Sequence, residues 1–79
     1  MVQRPLDVLN EALNKTVILK VRGNREIRGI LRSYDPHLNL VLEDAELIHP
    51  PRTDEDEAKI EILGHIILRG DNVILISPP

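Results

Sequence analysis

Apolar residues first recur at helical spacing, with Leu6, Leu9 and Leu13 flanked by Val8 and Ala12. This spacing predicts a short helix over residues 5–14 with one leucine face. Pro5 suits the first helical position, where its missing N–H costs nothing, and Asn14 is a plausible stop. A helix this short does not hold in water alone, so its leucine face must dock on something. From Thr16 the period switches to two. Val17, Leu19 and Val21 alternate with Ile18, Lys20 and Arg22, and Gly23-Asn24 marks a turn into a second strand over Glu26–Tyr34. Leu38–Leu47 reads as a third, strongly apolar strand, Lys59–Leu68 as a fourth and Val73–Ile76 as a short fifth. The segment between the third and fourth strands holds Pro50-Pro51 and the run Asp54-Glu55-Asp56-Glu57. It reads as a solvated acidic loop.

A helix followed by five antiparallel strands joined mostly by tight turns is a mainly β chain. Gly29 and Gly64 lie inside predicted strands, where a glycine marks a bend or a close backbone approach. A small, strongly bent sheet curling into an open barrel satisfies this pattern. An open barrel has edges, and the fifth strand, Val-Ile-Leu-Ile, would be a hazardous exposed one. Pairing it with the free edge of a second copy removes the hazard, and a head-to-tail contact of that kind closes into a ring if the rotation permits.

Length strengthens the expectation of a ring. The 79 residues make one small domain, residues 1–79, with a thin core that wants a staple or a partner. No cysteine is present, which removes disulfides, thiolate metal sites and a Cys nucleophile and fits a reducing, cytoplasmic setting. No apolar run approaches the roughly 20 residues that span a bilayer, and the N-terminal residues do not form a signal-peptide core. No membrane association is expected. Oligomerisation is the remaining support. The net charge is −3, but it is split: residues 1–34 carry +4 and residues 35–79 carry −7. A ring of such chains would have one basic and one acidic surface unless the clustering is chance.

Two turns carry the candidate chemistry. Asp35-Pro36-His37-Leu38-Asn39 follows the second strand and Arg69-Gly70-Asp71-Asn72 follows the fourth. Each mixes a planar stacking group, imidazole or guanidinium, with carboxylate, amide or bare glycine backbone. Brought together, they would make a slot for a flat polar ring such as a nucleobase. Tyr34 is the only aromatic residue, so the aromatic platforms on which many RNA-binding domains stack bases are excluded. Stacking must come from His or Arg. Taken singly, each residue has a plainer reading. Asp35-Pro36 is a common turn opener that Asn39 would cap. Arg69-Gly70-Asp71 reads as a tight turn with a local ion pair, and Tyr34 as core or interface. His37 and His65 lack convincing metal-ligand spacing, so no metal and no cofactor is expected. An enzyme is not expected either: Ser33 and Ser77 lie in no nucleophile motif, and there is no glycine-rich phosphate loop.

The ordered set resembles the Sm and Sm-like family, in particular its archaeal members. The first Sm motif is carried by Val17–Gly23, by Ile27-Arg-Gly29-Ile-Leu31 and by Tyr34-Asp35-Pro-His-Leu-Asn39-Leu-Val-Leu42. The second is carried by Leu63-Gly64-His-Ile-Ile-Leu-Arg69-Gly70-Asp71-Asn72-Val73. Leu38 stands where methionine is common and Leu68 where isoleucine is usual, both swaps of similar volume. The Arg-Gly of the second motif is the archaeal and eukaryotic form and departs from the Lys-His of the bacterial homologue. The resemblance implies a ring, most often a heptamer, that binds uridine-rich single-stranded RNA around its pore and works in RNA processing or chaperoning, alongside RNA-processing proteins. Carried over residue by residue, His37 and Arg69 would sandwich the base and Asn39 would read its pairing edge. Asp35 and Asp71 would orient neighbouring groups, and Gly70 would allow a close backbone approach. An outer site would use Arg4 and Tyr34. The alternative from another class is an oligomeric scaffold for protein partners, without base-specific RNA binding.

Overall fold

The computed structural model describes residues 4–78. Helix α1 spans Pro5–Glu11, and strands β1 to β5 span Thr16–Val21, Arg25–Tyr34, Leu40–His49, Lys59–Leu68 and Val73–Ser77. They form one antiparallel sheet in the order β4-β3-β2-β1-β5. The mainly β architecture with a short N-terminal helix is the one expected.

Five boundaries differ from expectation, and the two that fall short do so for a local reason. The helix ends at Glu11 rather than Asn14, because the chain must turn onto β1. Ala12 caps it, and Asn14, at φ +66°, makes the reversal that an asparagine tolerates at little cost. Strand β3 starts at Leu40 rather than Leu38, because Leu38 lies in the turn at φ +64°, far from the extended backbone that regular pairing needs. It then runs on to His49, paired with Lys59. Strand β2 gains Arg25 and β5 gains Ser77.

The bend has a specific origin. Along β3 the inward positions are Leu40 and Leu42, then Ala45 and Leu47, so the alternation slips between them. Glu43 and Asp44 together oppose His65 alone on β4, as the partners shift from Leu42↔Ile66 to Ala45↔Gly64. The extra residue is a bulge, and a second follows on β4, where Leu63 is extra as the partners shift from Ala45↔Gly64 to Glu46↔Ile62; positive φ at Asp44 (+51°) and Gly64 (+75°) accommodates the pair. The two internal glycines do different work. Gly64 supplies backbone freedom, and a Cβ there would meet nothing. Gly29 has no such dihedral. It supplies room, since a Cβ would press on the Ala45 Cα and the Glu43 carbonyl at 3.3 Å.

The core is the concave side of the bent sheet. Val17, Leu19 and Val21 of β1, Ile27 and Leu31 of β2, and Leu40, Leu42, Ala45 and Leu47 of β3 are all buried. Leu9 and Ala12 cap the cluster from the helical segment, so the helix does dock, although Leu6 of the expected face stays exposed. β4 and β5, the first and last strands of the sheet, each offer a free edge and carry the most exposed of the large apolar side chains. Ile60, Ile62 and Ile67 on β4 are 60, 74 and 75% exposed, and Ile74 and Leu75 on β5 are 69 and 53% exposed. Edges this apolar need a cover. Among the described residues no helix is long and apolar enough to cross a membrane.

Candidate nucleic-acid interface

Strand pairing brings the two turns together. Leu40, the first residue of β3, pairs with Leu68, the last of β4. The turn that enters β3 and the turn that leaves β4 therefore meet at one end of the sheet, although they lie 31 residues apart in sequence.

Asp35 organises the first turn. Its Oδ1 accepts the backbone N–H groups of His37 (2.9 Å) and Asn39 (3.0 Å), and its Oδ2 accepts an N–H of the Asn39 side chain at 2.9 Å. The Leu38 N–H closes the turn on the Asp35 carbonyl at 3.0 Å. These bonds favour the carboxylate, so the Asp35 pKa lies below its ordinary value of 3.8. The Asn39 side-chain bond is the largest cause, followed by the Asn39 backbone bond; partial burial opposes them, and the His37 backbone bond and the nearby His37 charge add to the lowering. The turn opener and cap read from the sequence are thus real, and they leave Leu38 in a left-handed conformation that costs a leucine about 1–2 kcal/mol.

Asn39 joins this turn to the second. Its Oδ1 accepts the Gly70 N–H at 2.9 Å. The opposite amide orientation would set NH2 against an N–H and oxygen against a carboxylate, so the network allows only one. With one N–H given to Asp35 and one lone pair given to Gly70, Asn39 retains one N–H donor and one lone pair. Gly70 opens a 3₁₀ turn, Gly70–Asn72, and lies directly against the first turn. A Cβ at Gly70 would run into the His37 carbonyl oxygen and reach within 2.9 Å of the Leu38 carbonyl. Glycine is required there by the approach of one turn to the other.

Arg69 and Asp71 form the local ion pair that the sequence suggested, Nη2 to Oδ2 at 2.9 Å, with both side chains largely exposed. The His37 side chain is exposed as well. The assembled residues are therefore a rigid floor of Asp35, Asn39 and Gly70, from which an imidazole and a guanidinium extend into solvent. Arg22, which sequence reasoning passed over, also reaches this place. Its Nε–H donates to the Asp71 carbonyl at 3.1 Å and its backbone N–H to the Asn72 carbonyl at 3.0 Å. The sequence signal was only a basic residue next to the Gly23-Asn24 turn.

Tyr34, of the suggested outer site, is half-buried, and its hydroxyl donates to the Leu6 carbonyl at 3.2 Å, with Asn10 Oδ1 at 3.5 Å. It ties α1 to β2. Arg4 is exposed at the N-cap of α1. A surface cleft elsewhere, between the β1–β2 turn and the acidic loop, is lined by residues that include Arg25, His49, Arg52 and Lys59. Among the described residues no group of three or more His, Asp or Glu is placed to hold a metal ion.

Known proteins resemble this chain over nearly its whole length. The model of the LSM domain family matches residues 7–78. A protein of Methanococcoides burtonii described as snRNP Sm-like is 46% identical over 78 residues, 99% of this chain and 100% of its own. Among solved structures, the SmAP1 heptamer of P. aerophilum superposes with a TM-score of 0.80 at 40% identity, covering 100% of this chain and 97% of that one. The Sm protein of Pyrococcus abyssii in complex with a uridine heptamer superposes with a TM-score of 0.77 at 45% identity, covering 98% of this chain and 100% of that one.

Proposed function

The chain belongs to the LSM-domain family of Sm-like proteins, and on that premise we propose that it forms a ring that binds uridine-rich single-stranded RNA at its pore, in RNA processing or chaperoning. The observation that carries the reading is the joint held by Asn39. A side chain that reads a base must be fixed before the base arrives, and Asn39 is fixed at both ends by Asp35 and Gly70. Its remaining N–H and lone pair are the complement of one carbonyl and the ring N–H of uracil. Cytosine presents an amine and an unprotonated ring nitrogen there, leaving polar groups unpaired. His37 and Arg69 stack the base, at roughly 1–3 kcal/mol per nucleotide. Asp71 restrains Arg69 through the ion pair. One such pocket is weak, but copies around a ring make each later contact intramolecular. The uridine complex of the P. abyssii relative supports the choice of ligand.

The ring is the unit of this function. β4 and β5 offer apolar free edges at opposite ends of the sheet, so β4 of one copy can extend the β5 edge of the next. The heptameric P. aerophilum relative supports seven subunits. In this reading residues 1–79 are a single Sm-like domain, a binding module with no catalytic group, acting in the cytoplasm beside RNA-processing proteins. An outer base site at Arg4 and Tyr34 is a further part of it. The Tyr34 hydroxyl is committed to α1, so the tyrosine would offer stacking there. A scaffold for proteins alone gives no reason for Gly70 to be wedged against His37 or for Asn39 to be held in one orientation.

Fluorescence anisotropy with oligo-U and oligo-C at one fixed, moderate salt concentration tests the proposal. Tighter binding of oligo-U by a ring-sized species is expected. Equal, weak binding of both would overturn base-specific recognition, and a monomeric mass in native mass spectrometry would overturn the ring.

A further inference from the structure

We propose that Arg22 is a positioning residue for the base pocket: from the β1–β2 turn it holds the backbone of the 69–72 turn and thereby sets where Arg69 stands. This inference rests on the pocket reading above and deepens it.

From within, the Gly70–Asn72 turn is held by short-range backbone bonds, Asn72 N–H to the Arg69 carbonyl at 3.1 Å and Val73 N–H to the Gly70 carbonyl. It is three residues long, and its one ion pair, Arg69–Asp71, is exposed on both sides and therefore weak. Those backbone bonds fix the turn's shape but not its place, and its backbone is pinned to the rest of the sheet from two directions. Asn39 takes the Gly70 N–H, and Arg22 supplies donors to the next two carbonyls, Nε–H to Asp71 and backbone N–H to Asn72. The backbone bond extends the β1–β5 pairing, where Val21 sits opposite Val73, and any residue but proline at position 22 would make it. The bond to Asp71 needs a donor at the place where the arginine side chain carries Nε–H. Arg22 is itself braced, because Arg25 donates from Nε (3.3 Å) and Nη2 (3.2 Å) to the Arg22 carbonyl. Chain segments 49 residues apart are thus tied at the residue next to Gly70. Fixing the Asp71 peptide fixes the root of the side chain that restrains the Arg69 guanidinium before any base is present, which is preorganisation.

Arg22→Lys and Arg22→Ala separate positioning from simple attraction of phosphate. Lysine keeps the charge but carries no Nε–H at that place. In the RNA-free ring, amide exchange at Gly70 and Asn72 is expected to quicken about fivefold in both variants, the factor one net hydrogen bond carries. Unchanged exchange in both would overturn the proposal. With oligo-U and oligo-C, both variants should lose about fivefold in oligo-U affinity per pocket and little for oligo-C, so that discrimination narrows. The salt dependence of Arg22→Lys should stay that of the parent. If instead Arg22→Lys binds like the parent, while Arg22→Ala weakens both oligomers equally and flattens the salt slope by about 0.7, then Arg22 is a phosphate contact and not a positioning residue. If the parent itself binds oligo-U and oligo-C alike, the base-pocket reading fails, and the exchange measurement still decides whether Arg22 holds the turn.

Discussion

Replacing Gly70 by alanine probes the joint between the two turns most directly. The added methyl would collide with the His37 carbonyl oxygen and crowd the Leu38 carbonyl carbon and oxygen, each 2.9 Å away. All three are backbone atoms, so no side-chain rotation relieves the contact and one turn must retreat. Overpacking of this kind costs about 1–3 kcal/mol. Retreat also stretches the Gly70 N–H bond to Asn39, now 2.9 Å, at a further cost of about 1 kcal/mol. Together about 2–4 kcal/mol is expected, a lowering of the melting temperature by roughly 8–32 °C at fixed protein concentration for a domain of this size. Binding should suffer more than tenfold, because Asn39 and Arg69 lose their common reference. Gly64→Ala is the matched control. Its Cβ would meet nothing, so the only penalty is the positive φ of 75°, about 1–2 kcal/mol. The bulge lies away from the pocket, and oligo-U affinity of the assembled ring should stay within about twofold of the parent, less than one net hydrogen bond. Thermal melts and anisotropy on both variants give the answer. A Gly70→Ala protein that melts and binds oligo-U like the parent would show that the turns are not in contact, and the pocket as described would fall.

Acid should disorder the pocket through Asp35. Its pKa is lowered in the folded protein, first by the Asn39 side chain, so its stabilising contribution is complete above the unfolded value near 3.8 and is lost as pH falls through the lower folded value. An NMR titration of the Asp35 carboxyl should show that depressed midpoint, and Asp35→Asn should remove the corresponding acid limb of stability; a midpoint at or above 3.8 refutes the hydrogen-bond account. Charge on the sheet edges should dissolve the assembly, since Ile62 and Ile67 are largely exposed on β4 and Ile74 on β5. Ile67→Lys or Ile74→Lys is expected to shift native mass spectra from ring to monomer, and an intact ring in both would place the interface elsewhere. His37→Ala and Arg69→Ala should each weaken oligo-U binding about thirtyfold per pocket, the middle of the stacking range, with the ring unchanged in mass. Undiminished binding in the double variant would remove both residues from the site.

What was legible in the sequence was the local part. Alternation alone gave the inward set of β1, and the turn chemistry of Asp35, Asn39 and Gly70 was visible as residue types suited to turns. The departures inside the sheet share one cause: they are settled by pairing between distant segments. Asp44 is an ordinary acidic residue in an apolar strand, and nothing near it announces a positive φ. The bulge exists because β3 must stay paired with β2 and β4 while the sheet bends, and β4 had a glycine to give whereas β3 did not. Leu38 is the local exception, held left-handed by the bonds that Asp35 makes on either side of it. Gly29 and Gly70 look alike in sequence to any bend-making glycine, yet both are there for room against a neighbour that only the register reveals. The pocket follows the same logic. Leu40↔Leu68 brings the stacking turns together, and Val21↔Val73 brings Arg22 beside them. A single slip by one residue in either pairing would leave every candidate side chain in the chain and no site, so the specificity of this surface is stored in the register of the sheet as much as in the residues that touch the base.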